Sequence, residues 1–205
     1  SANVAVLSGP TFANEVAQGL PTAMVSASNK SEEAQYWADL FHFDTFRMYT
    51  QSDMFGVEVG GAYKNIMAIA TGISDGMHMG ANARAALVSR GMVEMMRLSQ
   101  ALGGQTETMM GLAGLGDLVL TCTDDLSRNR RFGFGLASDN MSTEDVMTEI
   151  GQVVEGAKAV KTVKQLADKM GLDLPIMEQV YLLVTDQVSP QQAVQALMSR
   201  SGKSE

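Results

Sequence analysis

The sequence predicts a mainly α protein, with an all-helical C-terminal domain preceded by a partial β-α-β-α-β unit. The residues up to Thr50 alternate between strand and helix signals, whereas from Asp53 onward only helical periodicity recurs. Neither a fixed-period repeat nor a low-complexity linker interrupts the chain. The boundary falls between residues 1–52 and 53–205.

Within the first part, Val4-Ala5-Val6-Leu7 is a short apolar run that ends at the turn Ser8-Gly9-Pro10. Thr11 to Gly19 reads as a short helix with Thr11 as its N-cap. Pro21 to Ala27 supplies a second strand. Ser31 opens a second helix, with Glu32 and Glu33 at the positive end of its dipole. Thr45 to Thr50 alternates and gives the third strand, so the sheet is expected to be parallel or mixed. Three strands are few for a complete doubly wound sheet, which suggests that the sheet begins upstream of residue 1.

The helical part opens with Val57 to Ile73, apolar on most faces and carrying Gly60, Gly61 and Gly72, hence a buried helix. Asn82 to Leu102 is amphipathic and closes at Gly103-Gly104. Ser142 and Asp145 have capping-box spacing before a short helix. Glu155 to Met170 stops at Gly171, Pro175 to about Gln187 forms another helix, and Ser189-Pro190 starts the last one. Sixteen methionines, among them Met92, Met95 and Met96, read as flexible core filling.

Composition narrows the function classes. With 45% hydrophobic and 19% charged residues the chain is globular in type. A net charge of −8 argues against a nucleic-acid partner, although a local site for one small anion remains open. No stretch has the apolar length of a membrane span, and Ser1-Ala2-Asn3-Val4 does not open a secretory signal. The single cysteine, Cys122, fits a reducing cytoplasm and reads as a buried structural thiol. His42 and His78 stand alone in sequence, so no metal site is expected.

Polar residues interrupt apolar or glycine-rich surroundings at a few places. In Gly60-Gly61-Ala62-Tyr63-Lys64-Asn65-Ile66, the lysine either snorkels to water or is buried with a partner. A buried lysine holds its proton less tightly, which suits proton transfer. Gly111-Leu112-Ala113-Gly114-Leu115-Gly116-Asp117 is not the G-x-G-x-x-G dinucleotide pattern; Asp117 is either a satisfied cap or a partner for Lys64. Ser127-Arg128-Asn129-Arg130-Arg131 is the densest donor cluster in an acidic chain, read either as a solvated basic turn or as an anion site. Val153-Val154-Glu155-Gly156 reads as a strand-like run entering a helix, with Glu155 in the first turn.

Together these segments resemble the bacterial-type NAD(P)-dependent glycerol-3-phosphate dehydrogenases. The matching stretches are Ser8 to Val16, Gly60 to Ile66, Ser74 to Gly76, Gly80 to Arg84, Gly111 to Leu118, Thr121 to Arg131 and Gly151 to Gly156. Their order and spacing are specific, and the resemblance covers essentially all 205 residues. It implies reversible hydride transfer between NAD or NADP and the pair dihydroxyacetone phosphate/sn-glycerol 3-phosphate, serving phospholipid biosynthesis in the cytoplasm. Lys64 falls on the family's proton donor and acceptor, and Asp117 on its substrate-site aspartate. Gly9, Thr11, Asn65 and Thr121 match substrate-contacting positions, and Ser127, Arg128 and Asn129 match the phosphate-binding trio. Arg128 is also expected to reach the cofactor, whose other lining positions fall on Ala13, Val153 and Glu155.

By this resemblance, residues 1–52 are the C-terminal remnant of a Rossmann-like dinucleotide-binding domain, and 53–205 the substrate-binding and catalytic domain. The family's G-x-G-x-x-G/A segment is not found in residues 1–205, so the chain is expected to be a fragment, inactive alone. A second copy of the chain is a candidate partner, as a homodimer. The rival readings are a methionine-rich helical interaction domain and another dehydrogenase of the hydroxyacid or UDP-sugar type.

Overall fold

Three short strands form the only sheet among the described residues: β1 (Val6–Ser8), β2 (Thr22–Ala27) and β3 (Phe46–Gln51). The computed structural model describes residues 4–137 and 141–200. Residues 1–3 of the opening stretch and 201–205 at the end of the helical part lie outside them. The sheet is mixed, with order β1-β2-β3: Val6 pairs with Ala27 across an antiparallel ladder, and β2 runs parallel to β3 from Thr22↔Phe46 to Ala27↔Gln51. Helix α1 (Ala13–Ala17) joins the first two strands and α2 (Ser31–Phe41) crosses from β2 to β3. Ala38 of α2 packs on Phe46 and Met48, which fixes the inward face of β3.

One expected cap fails. Phe12, not Thr11, is the N-cap of α1, and no side chain caps that helix. The Thr11 hydroxyl donates instead to the carbonyl of Gly9 at 3.2 Å, a local bond that competes with capping.

The helical part is built around α3 (Met54–Gly76), whose Tyr63, Ile66, Met67 and Ile69 are fully buried. Around it lie α4 (Gly80–Ala101), α5 (Thr106–Met109), α6 (Asp117–Thr123), α7 (Arg128–Leu136), α8 (Thr143–Ile150), α9 (Glu155–Met170), α10 (Pro175–Val184) and α11 (Pro190–Met198). Unbroken burial from Ile66 to Ser74 explains the apolar reading of that half of α3, and Met67, Met92, Met95, Met109 and Met177 fill the same core. The expected capping box forms at Ser142 with Asp145, Ser189 caps α11 as expected and adds a second box with Gln192, and Gly171 ends α9 in the left-handed conformation.

The structure departs from expectation at three further points. α10 stops at Val184, before Gln187. Val153 and Val154 form no strand; Val154 is the extended N-cap of α9. The Ser127–Arg131 segment is not a turn but the start of α7, with the Ser127 hydroxyl accepting from the Arg130 N–H. No helix among the described residues is long and apolar enough to cross a membrane.

The sheet meets the helices through a small second core, where Val25 and Ala27 of β2 pack with Val57 of α3 and Ala113. At the junction, Asp53 caps α3 and reaches across to the next segment. Its carboxylate accepts from Gly56 N at 2.9 Å, Gln105 N at 2.7 Å and the Thr108 hydroxyl at 2.6 Å. One side chain thus ties the start of α3 to α5.

Candidate active site

Lys64 lies in the middle of α3, on the side that turns toward the sheet. Before α6 the chain makes one wide i→i+5 turn, Leu112–Gly116, lying directly on α3. A Cβ at Gly60 would collide with the Ala113 carbonyl, so the glycine allows this backbone contact. The wide turn delivers Asp117, the first residue of α6, opposite Lys64. The Lys64 ammonium donates to Asp117 Oδ2, joining residues 53 positions apart in sequence. Wide turns of this kind often occur at functional sites.

Asp117 is buried, its side chain 3% exposed, while the Lys64 side chain keeps 22% exposure. Burial pushes the Asp117 carboxyl above its ordinary range, against the pull of the Lys64 ammonium and the Thr121 hydroxyl. Thr121 donates to the Asp117 carbonyl at 2.6 Å and lies 3.3 Å from Oδ1, so it steadies the aspartate from one turn below. The ammonium therefore has one donor on a fixed anion and two more for whatever stands at its exposed side.

A second network begins at the next residue. Asn65 Oδ1 accepts from Asn129 Nδ2 at 3.0 Å, and Asn129 Oδ1 accepts from Gly156 N at 2.8 Å. Asn129 thereby bridges α3, the first turn of α7 and the first turn of α9. Beside it, Arg128 donates to Glu155 Oε1 at 2.6 Å and to Gln152 Oε1 at 3.1 Å. This pair is half-exposed, 40% for the Arg128 side chain and 44% for Glu155, so its groups can be reached from solvent.

The loop after β1 lies against the same wall: Ser8 faces Gly61 of α3, and Pro10 faces Gly116. Gly9 lies between these two contacts, close to Met24 of β2, and the Thr11 hydroxyl is bonded to the Gly9 carbonyl. Ala13 and Val153 are exposed apolar positions outside both networks. Ser127 is buried as the N-cap of α7.

The three arginines do not act as one cluster. Arg128 faces the α9 terminus, Arg131 is exposed, and Arg130 turns inward to Asp75 and Asp125. Cys122 is buried under the site, its thiol pushed up to about 12 by burial, which removes it as a nucleophile. Among the described residues no group of three or more His, Cys, Asp or Glu could hold a metal. A groove of about 710 Å³ lies elsewhere, between α3, α4, α10 and α11, and is mostly apolar.

Residues 53–195 match the family model described as the NAD-dependent glycerol-3-phosphate dehydrogenase C-terminus, and residues 1–34 match the corresponding N-terminus model. The chain belongs to the NAD-dependent glycerol-3-phosphate dehydrogenase family. A relative from Hydrogenovibrio crunogenus, named glycerol-3-phosphate dehydrogenase [NAD(P)+], is 73% identical over 201 residues, covering 98% of this chain and 58% of that protein. The crystal structure of glycerol-3-phosphate dehydrogenase from Coxiella burnetii superposes with a TM-score of 0.92 at 50% identity, covering 96% of this chain and 60% of that one. The yeast glycerol-3-phosphate dehydrogenase structure follows at 0.82 and 27%, covering 93% and 58%. The chain thus spans about three fifths of the length of these dehydrogenases.

Two partners in the candidate site escape sequence reading. Gln152 meets Arg128 only because the loop before α9 folds over α7, and its sole sequence signal is a polar residue between Gly151 and Val153. The backbone N–H of Gly156 carries no side-chain signal at all.

Proposed function

We propose that the chain supplies the substrate half of an NAD(P)-dependent glycerol-3-phosphate dehydrogenase, interconverting dihydroxyacetone phosphate and sn-glycerol 3-phosphate. The observation that carries this reading is the Lys64 ammonium held by a buried carboxylate next to the Asn65–Asn129–Gly156 bridge. Residues 1–52 would then belong to the dinucleotide-binding domain and 53–205 to the substrate domain. The end of β3 at Gln51 and the cap at Asp53 support that division.

NAD or NADP, when bound, supplies or takes up the hydride at C2. Lys64 gives a proton to the C2 oxygen as the ketone becomes the alcohol, and takes it back in the reverse direction. Asp117 keeps the ammonium turned so that its two remaining N–H groups face that oxygen, and Lys64's charge stabilises the developing alkoxide. The substrate phosphate would be held at the start of α7, by the helix N-terminus, the second N–H of Asn129, the Ser127 hydroxyl and the Arg128 guanidinium. Asn65, Thr121, Gly9 and Thr11 complete the walls.

The donor set at the mouth of α9 fits a dinucleotide. Arg128 offers charge to a phosphate, Glu155 accepts from ribose hydroxyls, and Ala13 and Val153 present apolar contact. A homodimer accords with the apolar groove, where Ile73, Leu87, Val180 and Leu197 would be covered by a second copy. A cytoplasmic setting, with phospholipid synthesis as the role, suits the reduced, buried Cys122.

Titration of the chain with sn-glycerol 3-phosphate by calorimetry tests the assignment, comparing wild type with Lys64→Ala and Arg128→Ala. Wild type is expected to bind and both variants to weaken by about tenfold or more, as loss of a charged hydrogen bond requires. Equal binding by all three would overturn it.

A further inference from the structure

Next to the proposed phosphate site, α7 carries an ionic clasp that the proposed chemistry does not use. Asp75, near the C-terminus of α3, accepts from Arg84 Nη1 of α4 at 2.7 Å and from Arg130 Nη2 of α7 at 2.6 Å. The second terminal nitrogen of Arg130 donates to Asp125 in the preceding loop. The Arg130 and Asp75 side chains are only 11% and 10% exposed, and Arg130 Nε is buried with no partner. An arginine buried with one of its donors unsatisfied is costly, so the ion pairs at its other two nitrogens have that cost to offset.

α7 lies flush on α3, because Gly72 and Gly133 leave no Cβ between the two backbones: one at Gly72 would strike the Arg130 carbonyl, and one at Gly133 the Ile69 carbonyl. The glycines set the separation of the helices but not the rotation of α7 about its axis. Phe132 and Leu136 of α7 pack into the core and limit gross rotation, but apolar packing leaves a small roll open. A directional contact narrows that roll, and the two terminal nitrogens of Arg130, each on its own carboxylate, form one.

The residue before it, Asn129, is the bridge to Asn65 and Gly156. Turning α7 by about 20° would move a side-chain amide, roughly 6 Å from the helix axis, by about 2 Å. That displacement breaks hydrogen bonds of 3.0 and 2.8 Å.

We propose that Arg130, clasped by Asp75 and Asp125, is a positioning residue that sets the rotation of α7 and so aims Asn129 and Arg128 into the phosphate-binding mouth. The aim matters for function only if the proposed substrate reading holds, but the effect on Asn129 does not depend on any ligand. The test accordingly has a ligand-free arm and a ligand arm.

In the ligand-free arm, amide hydrogen exchange of the chain is followed by NMR in wild type, Arg130→Met, Arg130→Lys and Asp75→Asn. In Arg130→Met the Gly156 amide is expected to exchange about tenfold faster, the factor that loss of one buried hydrogen bond supports. The Asn129 side-chain amide should shift while the interior amides of α7 and α9 hold their protection. Arg130→Lys, which keeps the charge, should recover part of the effect. Asp75→Asn, which leaves Arg130 in place, should reproduce it more weakly and serves if Arg130→Met does not fold.

Protection of Gly156 unchanged in the folded variants would overturn the proposal. So would loss of protection spread evenly over α7 and α9, which marks a merely structural role. In the ligand arm, the affinity for sn-glycerol 3-phosphate should fall about tenfold in Arg130→Met and recover partly in Arg130→Lys. If Gly156 opens and affinity stays at the wild-type value, the link to the phosphate mouth is refuted. If no protein, wild type included, binds the ester, the substrate reading fails while the clasp on Asn129 stands.

Discussion

Replacing Asp53 with alanine should destabilise the chain by about 3 kcal/mol, the sum of one lost helix cap and the donors it leaves stranded. The carboxylate is 6% exposed and accepts three hydrogen bonds: from Gly56 N, Gln105 N and the Thr108 hydroxyl. Loss of an N-cap costs roughly 1 kcal/mol. Thr108 is 4% exposed and Gln105 N half-buried, so each adds about 1 kcal/mol when left without an acceptor. For a chain of this size, that total corresponds to a fall in Tm of roughly 6–12 °C.

Asp53 also makes the stability depend on pH, with a definite sign. Burial pushes its carboxyl up, but the Thr108 hydroxyl and the Gln105 and Gly56 N–H groups together hold it below the ordinary value of 3.8. An acid lowered on folding stabilises the native state above its unfolded pKa and ceases to do so as pH falls through the folded one. The Asp53→Ala penalty should therefore be full at pH 6 and shrink below pH 3.8. Urea unfolding of both proteins at pH 6 and in the acid range measures it. A difference under about 0.5 kcal/mol at pH 6, the scale of an ordinary surface substitution, would refute the three-donor account.

Glu155→Gln should tighten binding of inorganic phosphate about threefold, because it frees Arg128 from a half-exposed ion pair of the modest kind. NMR titration checks this, and unchanged or weaker binding would count against Arg128 as the phosphate ligand. Cys122, its thiol near 12 and fully buried, should resist an aromatic disulfide reagent at pH 8 and react fully in denaturant. Rapid labelling of the native chain would contradict the packing beneath the site.

How much of this was legible in the sequence depends on how local each cause is. Ser142, Ser189-Pro190 and Gly171 announce their helix ends because a cap is a contact within one turn of chain. The helical character of α3 was readable for the same reason. α7 was not: Arg-Asn-Arg-Arg-Phe-Gly-Phe-Gly-Leu contains two glycines, each about 1 kcal/mol unfavourable in a helix. It is helical because Gly133 seats on α3 and Phe132 is fully buried, gains that exist only in the folded chain. Thr11 misled because its hydroxyl donates back to the Gly9 carbonyl and accepts from no N–H of α1.

The same division runs through the site. A lysine in an apolar helix and an aspartate after three glycines could each be singled out from sequence, but both kept a structural alternative. The structure removes the snorkelling alternative by joining them: Lys64 meets a carboxylate that is itself nearly inaccessible. Asp117 holds only one side of the ammonium, and the other side retains enough exposure to meet a ligand. A purely structural ion pair gains by closing around both partners; this one leaves the lysine, and not the aspartate, partly open to solvent. That asymmetry suits a group that must exchange a proton with something that comes and goes.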